Sequence, residues 1–209
     1  MSPAEPDVVA DTVVVNYFVA VGAFDLLATL LGGVVFVPRA VFDPDEPESV
    51  ADAAVSELRA GLRFHRRRAG DDRTPLVLRQ RSERALPQLE TLPSLAASGR
   101  LVALDLSNEE LRLFAQLRSV DYVRQFARVA GLGRGEAAAL AITLTRGCRR
   151  ATDDQDAIEV ARGVNPELPI HRIRALLLRA VEVGLIARPR ARELHRAMVE
   201  AGFWDRGAL

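Results

Sequence analysis

"LGRGEAAALAITLTRGCRRATDDQDA", residues 132–157, is the stretch whose reading decides the fold. Glu136 stands at the head of an apolar, alanine-rich run with the composition of a buried helix. Gly147 is the natural residue to end that helix, because helix C-termini commonly close in a left-handed turn. "CRRA" then reads as a short strand, and three aspartates, Asp153, Asp154 and Asp156, follow within four positions. Helix, strand and a burst of acid, in that order, raise the question of what so many carboxylates serve.

Outward from this stretch the same alternation recurs. "VVADTVVVNYF", residues 8–18, begins as a buried strand interrupted by Asp11. A helix, a break at Gly22 and a second helix follow, with Asp25 as its cap. "GGVVFVP", residues 32–38, is a second strand closed by Pro38, and the helix expected over "RAVFDP" is cut short by Pro44 and Pro47. "PESVADAAVSELRAGLRFHRRR", from residue 47, reads as helical with Ser49 as a cap, and "RRRAGDDRTP", residues 66–75, as a charged loop. "RLVALDL" supplies a third strand, and Ser107 with Glu110 has capping-box spacing. Helices are expected over "QDAIEVARGV", "PIHRIRALLLRAVEVGLIA" and "RARELHRAMVEAGFW".

Alternating strands and helices imply a three-layer α/β/α domain around a mainly parallel sheet, in which ligands gather beyond the carboxyl ends of the strands. Asp11 and the Asp153–Asp154 pair fall at such ends. The whole chain, 1–209, reads as one domain with a helical and loop insertion around 45–95 and closing helices around 170–203.

Composition narrows the function classes. The formal charge is +0 and the 28 basic residues are arginines, so there is no global basic field, although a local basic face can form. One cysteine, Cys148, excludes an internal disulfide and a cysteine-rich zinc site. His65, His171 and His195 lie far apart without ligand spacing. The longest uninterrupted apolar piece, Leu26–Val37, is shorter than the roughly twenty residues a spanning helix needs, and no basic segment precedes it. A cytoplasmic protein without a membrane partner is expected.

Each acid has a plain structural role open to it: Asp11 as a helix cap, Glu136 as a charge at a helix start, "TDDQDA" as a turn and cap. If Asp11, Glu136, Asp154 and Asp156 converge, however, they repel one another, and a hard divalent cation such as Mg²⁺ or Mn²⁺ relieves that repulsion. Such a cation activates water and stabilises charge on a phosphoryl oxygen, the chemistry of metal-assisted phosphodiester hydrolysis.

The segments "ADTVVVNYFVAVGAFDLLATLLGGVVFVPRAV", "LGRGEAAALAITLTRGCRRATDDQDAIEVAR", "LLLRAVEVGLI" and "AMVEAGFW" together resemble a PIN-domain protein of the DUF3368 branch. The resemblance spans nearly the whole chain outside residues 45–95. It implies a Mg²⁺- or Mn²⁺-dependent endoribonuclease, in many relatives the toxin of a toxin–antitoxin pair, which would bring RNA, an antitoxin protein and a second copy of the chain as partners. By position, Asp11, Glu136 and Asp154 match the family's catalytic and metal-binding acids. Asp156 and Asp153 are supporting candidates, and the Thr12 and Thr152 hydroxyls are candidates to orient the ligands. Where the family carries a further glutamate after the second strand, Asp43 is the nearest substitute and a candidate metal ligand, with Glu46 and Glu48 beyond it and prolines between. Arg149 and Arg150 stand where apolar residues are usual. With Arg66, Arg67 and Arg68 they are candidates for RNA phosphate contact, or a solvated face. The competing reading is a degenerate PIN-like binding or assembly module without nuclease activity. A nucleotide-binding domain is disfavoured, since no glycine-rich loop follows the first strand. The homodimer expectation also draws on the leucine-rich stretch 173–186, which offers more apolar surface than one small sheet needs.

Overall fold

A computed structural model describes residues 6–47, 55–205, 207 and 209. Five parallel strands form the central sheet in the order β3-β2-β1-β4-β5. They are β1 (Val8–Ala10), β2 (Val35–Pro38), β3 (Leu101–Leu104), β4 (Arg149–Ala151) and β5 (Ile170–His171). β1 is central, pairing with Phe36 through Val9 on one side and with Arg149, Arg150 and Ala151 on the other. Parallel strands need helical crossovers, and these supply both covering layers. The expected α/β/α architecture with a parallel sheet is therefore the one observed.

Between β1 and β2 lie α1 (Thr12–Ala20) and α2 (Phe24–Leu30). Asp11 caps α1, its Oδ1 accepting from Val14 N at 3.1 Å. The break at Gly22 is real, with φ +68°. Ala23, not Asp25, occupies the cap of α2; Asp25 sits in its first turn and pairs with Arg100 at 2.7 Å. No helix forms over residues 39–44, because Pro44 removes a donor and its predecessor is driven out of helical backbone.

The described part of residues 45–95 is more regular than its sequence suggests. It contains α3 (Glu57–Gly70), α4 (Leu76–Leu89) and α5 (Leu92–Ala97). The charged stretch 66–75 is helical as far as Gly70, and the loop is confined to the residues after it. Glu48 and Ser49 lie outside the described residues; the observed cap of α3 is Ser56. α3 packs on α4 and α4 on α1, and Leu58, Ala85, Leu89 and Leu92 join the same core as Val14, Phe18 and Leu27.

After β3 come α6 (Asn108–Leu117), α7 (Val120–Val123) and α8 (Arg134–Arg146). The Ser107–Glu110 capping box forms as its spacing predicts, and Gly147 closes α8 at φ +67°. α9 (Gln155–Val164) follows β4, and α10 (Ile173–Glu182) and α11 (Arg188–Ala201) close the chain. β5 was not anticipated. Its two residues pair with β4 ahead of α10, a segment too short for a period-2 signal. Ile173, Leu176, Leu177 and Ala180 are buried in the protein's own core, so the apolar surplus of the leucine-rich stretch is largely spent internally; Val183 and Leu185 stay exposed. Among the described residues no helix is long and apolar enough to cross a membrane.

Candidate active site

Four helices begin at the carboxyl edge of the sheet, and each brings an acid. Asp11 is the cap of α1, Glu57 the first residue of α3, Glu136 a first-turn residue of α8, and Asp154 the cap of α9. A parallel sheet explains this for α1 and α9, which leave the carboxyl ends of β1 and β4 directly, while the Glu57–Gly135 bond ties the starts of α3 and α8 together. Helix N-termini offer free N–H groups and a positive dipole end, so carboxylates are favoured there individually. Asp11 Oδ1 accepts from Val14 N, Glu136 Oε2 from Gly133 N at 2.6 Å, and Asp154 Oδ1 from Ala157 N at 2.8 Å. The structural and the chemical readings of these acids are thus not exclusive: each spends one oxygen as a cap.

Together the acids are unfavourable. Burial pushes the Asp11 carboxyl up to about 6, and Asp154 adds to that rise. Arg150, the Thr152 hydroxyl and the Val14 N–H oppose it. Burial pushes Glu136 up to about 7, reinforced by Asp154, Glu57 and Asp11 and opposed by the Gly133 N–H. Asp11 is 1% exposed, and its Oδ2 has no hydrogen-bond partner. A buried carboxylate oxygen left unsatisfied is costly and invites a cation.

Glu57 was not identified in the sequence. Its Oε1 accepts from Gly135 N at 2.7 Å and its Oε2 from the Thr12 hydroxyl, tying α3, α8 and α1 together beside Glu136. Gly135 is required by that approach, because a Cβ there would collide with the Glu57 carboxylate. Glu46 aims the helix: its carboxylate accepts from Ser56 N at 2.9 Å and Ser56 Oγ at 2.8 Å. Asp43, the acid nearest in sequence to the missing glutamate, is engaged elsewhere. Arg39 holds it at 2.6 Å and also pairs with Asp45 and Asp105.

Asp153 also departs from expectation. Both its oxygens are taken, Oδ1 by Arg172 Nε at 2.8 Å and Oδ2 by Ile173 N, so it anchors the start of α10. Asp153→Ala should therefore destabilise the protein by about 2–3 kcal/mol, the worth of charged hydrogen bonds lost on burial. A denaturant melt checks this, and an unchanged midpoint would leave Asp153 available as a ligand. Asp156 is exposed and lines a groove of about 600 Å³ with Asp154. Thr152 Oγ1 accepts from Asp154 N at 3.2 Å, steadying the turn that carries Asp154, as Thr12 steadies Glu57.

The arginines divide. Arg150 is fully buried, which rules out RNA contact by it. Its guanidinium lies 4.0 Å from Asp11 Oδ2, and none of its three nitrogens has a hydrogen-bond partner. Burial pulls its pKa down, against the attraction of Asp11, Glu136 and Asp154. Arg149, one residue earlier, points the opposite way along the strand and pairs with Asp7. Arg66 pairs with Glu90 at 2.9 Å and Arg68 lies over the Phe64 ring. Arg66, Arg67 and Arg68 are nine to eleven residues along α3 from Glu57, roughly 15 Å by helical rise.

With this geometry in place the comparison with known families is decisive. Residues 97–208 match the DUF3368 family, described as a PIN domain. The chain belongs to that PIN-domain family. Neither a curated protein nor a solved structure matches it. The matched residues include Glu136 and Asp154; Asp11 and Glu57 precede them, and the sheet brings these two in.

The PIN fold implies a divalent metal. The donor set suits one: carboxylate oxygens only, mutually repelling, with Asp11 Oδ2 unsatisfied. Among the described residues no three acidic, histidine or cysteine side chains stand at coordination distance.

Proposed function

We propose that the protein is a metal-dependent nuclease hydrolysing phosphodiester bonds in single-stranded RNA. The observation that carries this reading is the set of acid-bearing helix starts, Asp11, Glu57, Glu136 and Asp154, whose charges repel one another, with Asp11 Oδ2 buried and unsatisfied, in a chain of the PIN-domain family. Asp11, Glu136 and Asp154 would hold Mg²⁺ or Mn²⁺. When bound, the cation supplies an activated water and charge stabilisation at the scissile phosphate. Glu57 fixes the Thr12 hydroxyl and the first turn of α8, and so positions Glu136. The remaining basic cluster, Arg66, Arg67 and Arg68, is proposed to meet backbone phosphates further along the strand.

The test is cleavage of an end-labelled single-stranded RNA by the purified protein with Mn²⁺ or Mg²⁺. Cleavage should vanish in EDTA and return on adding metal. Glu57→Gln should retain the fold, since an amide oxygen can still accept from Gly135 N, while reducing cleavage about tenfold or more through loss of charge and alignment. Metal-independent cleavage, or a fully active Glu57→Gln protein, would count against the assignment.

A second reading, a PIN-like module that binds without cutting, is favoured by one observation: Arg150 already brings a positive charge to the acids. No cleavage in either metal, with retained RNA binding, would select it. A toxin role with an antitoxin partner is the corresponding biological proposal. Growth arrest on induced expression that disappears with Asp11→Asn would support it. A homodimer, if it forms, has Val183 and Leu185 as exposed apolar ground.

A further inference from the structure

Beside the acids, the 600 Å³ groove has a wall that the catalytic reading does not use. It is closed by Trp204, the one tryptophan in the chain, which is 56% exposed. The indole is held in place from behind. Gly202 ends α11 at φ +116° and turns the chain back, burying Phe203 against Tyr17, with ring centroids 5.1 Å apart. Arg172 lies over the Trp204 ring at 5.3 Å, and buried Asp153 fixes that guanidinium through Nε. An exposed indole braced by a guanidinium, itself braced by a buried carboxylate, is a preorganised flat surface. Tyr17 and Val13 continue the apolar lining, and Asp154, shared with the acid cluster, makes the groove open directly beside it.

The polar part of the lining is supplied by Asp153, Asp154, Gln155 and Asp156, of which Gln155 and Asp156 are exposed. Carboxylates only accept hydrogen bonds, so this part repels phosphate and favours a planar group with donors on its edge. A cationic side chain is the less favourable occupant, because Arg172 already places its charge against the same ring. We propose that the Trp204 groove is a base subsite. An unpaired nucleobase of the strand stacks on the indole while its donor edge meets Asp156 and Gln155. Guanine is preferred, since its N1–H and exocyclic amino group present two adjacent donors to one carboxylate, whereas uracil presents a single donor between two acceptors. This subsite rests on the nuclease reading for its strand, but its test does not need catalysis.

The single tryptophan makes the test direct. The full chain in EDTA is titrated with uridine hexanucleotide, with the same strand carrying one central guanosine, and with a strand abasic at that position, while Trp204 emission is followed. Saturable quenching is expected, with the guanosine strand binding about tenfold more tightly than the uridine strand and the abasic strand weakest, the scale of one base–aromatic stack. Trp204→Ala, measured by anisotropy of a labelled guanosine strand, should lose about tenfold in affinity. Asp156→Asn should narrow the guanosine–uridine gap while keeping the quench. Absence of quenching by any strand, or equal affinity for the abasic strand, overturns the subsite. Quenching by an arginine-rich peptide but by no strand replaces it with a cation pocket. Quenching without metal-dependent cleavage sinks the nuclease reading and leaves the subsite standing. No quenching of the parent by any strand, together with unaltered cleavage by Trp204→Ala, does the reverse.

Discussion

Asp11→Asn is expected to lower RNA cleavage at least about a hundredfold, the scale of losing one preorganised charge-stabilising group, without loss of fold. Asparagine caps a helix about as well as aspartate, so the bond from Val14 N to Oδ1 is retained. The stability effect has the opposite sign to the activity effect. Asp11 titrates near 6 in the folded protein against 3.8 ordinarily, so the fold binds its proton more tightly than the unfolded chain does. The associated stability is fully present below about pH 4 and is lost as pH rises through 6, by about 3 kcal/mol for a shift of this size. Asparagine never ionises, so in EDTA at pH 7.5 the variant should be more stable than the parent by up to that amount. The gap should close on acidification to pH 4. Glu136, raised to about 7, follows the same rule in a window extending slightly higher. Thermal melts of both proteins from pH 4 to 8, with and without Mn²⁺, check this: metal should stabilise the parent and barely move the variant. Undiminished cleavage by Asp11→Asn, or a stability gap that ignores pH, would refute the role given to Asp11.

Arg150→Met should produce the second large change, and its sign should reverse with pH. Two terms compete at this position. A guanidinium buried without hydrogen bonds carries a heavy desolvation cost, which methionine removes while filling much of the same space. Against that, the guanidinium attracts Asp11, Glu136 and Asp154, and removing one partner of a buried set costs about 3–5 kcal/mol while the others stay charged. At pH 8 the acids are ionised and the second term wins, so the metal-free variant should be destabilised. At pH 5 Asp11 and Glu136 carry protons, the first term wins, and the variant should equal or exceed the parent. Without the internal cation, Mn²⁺ should raise the melting temperature of Arg150→Met more than that of the parent. If the methionine variant matches the parent at every pH and in its metal response, Arg150 is only a stem filling space, and the counter-charge role assigned to it is wrong.

Much of the fold around the candidate site was legible because local signals carry it. A buried three-residue strand before Asp11, a helix between Gly133 and Gly147, a short strand and an acidic cap at Asp154 are each encoded within a few residues. Parallel topology then sends the helices that directly follow β1 and β4 from one edge. Those facts give the α/β/α fold and put Asp11 and Asp154 at the same edge of the sheet. What the sequence could not assign is which acid faces which partner. Glu57 lies 46 residues from Asp11 along the chain and, until α3 docks, has nothing to mark it among the acids of the insertion. Its role comes from the long-range bonds to Gly135 N and the Thr12 hydroxyl. Asp153 and Asp154 are neighbours with opposite duties. The backbone turns at the cap of α9, so that one side chain points to the start of α10 and the other toward the acids. Arg149 and Arg150 are the same residue twice, and strand alternation sends one to solvent and buries the other beside Asp11. Propensity and periodicity fix elements because their causes are local; the charge state and partner of a buried group depend on what packs around it, which only the closed tertiary structure decides.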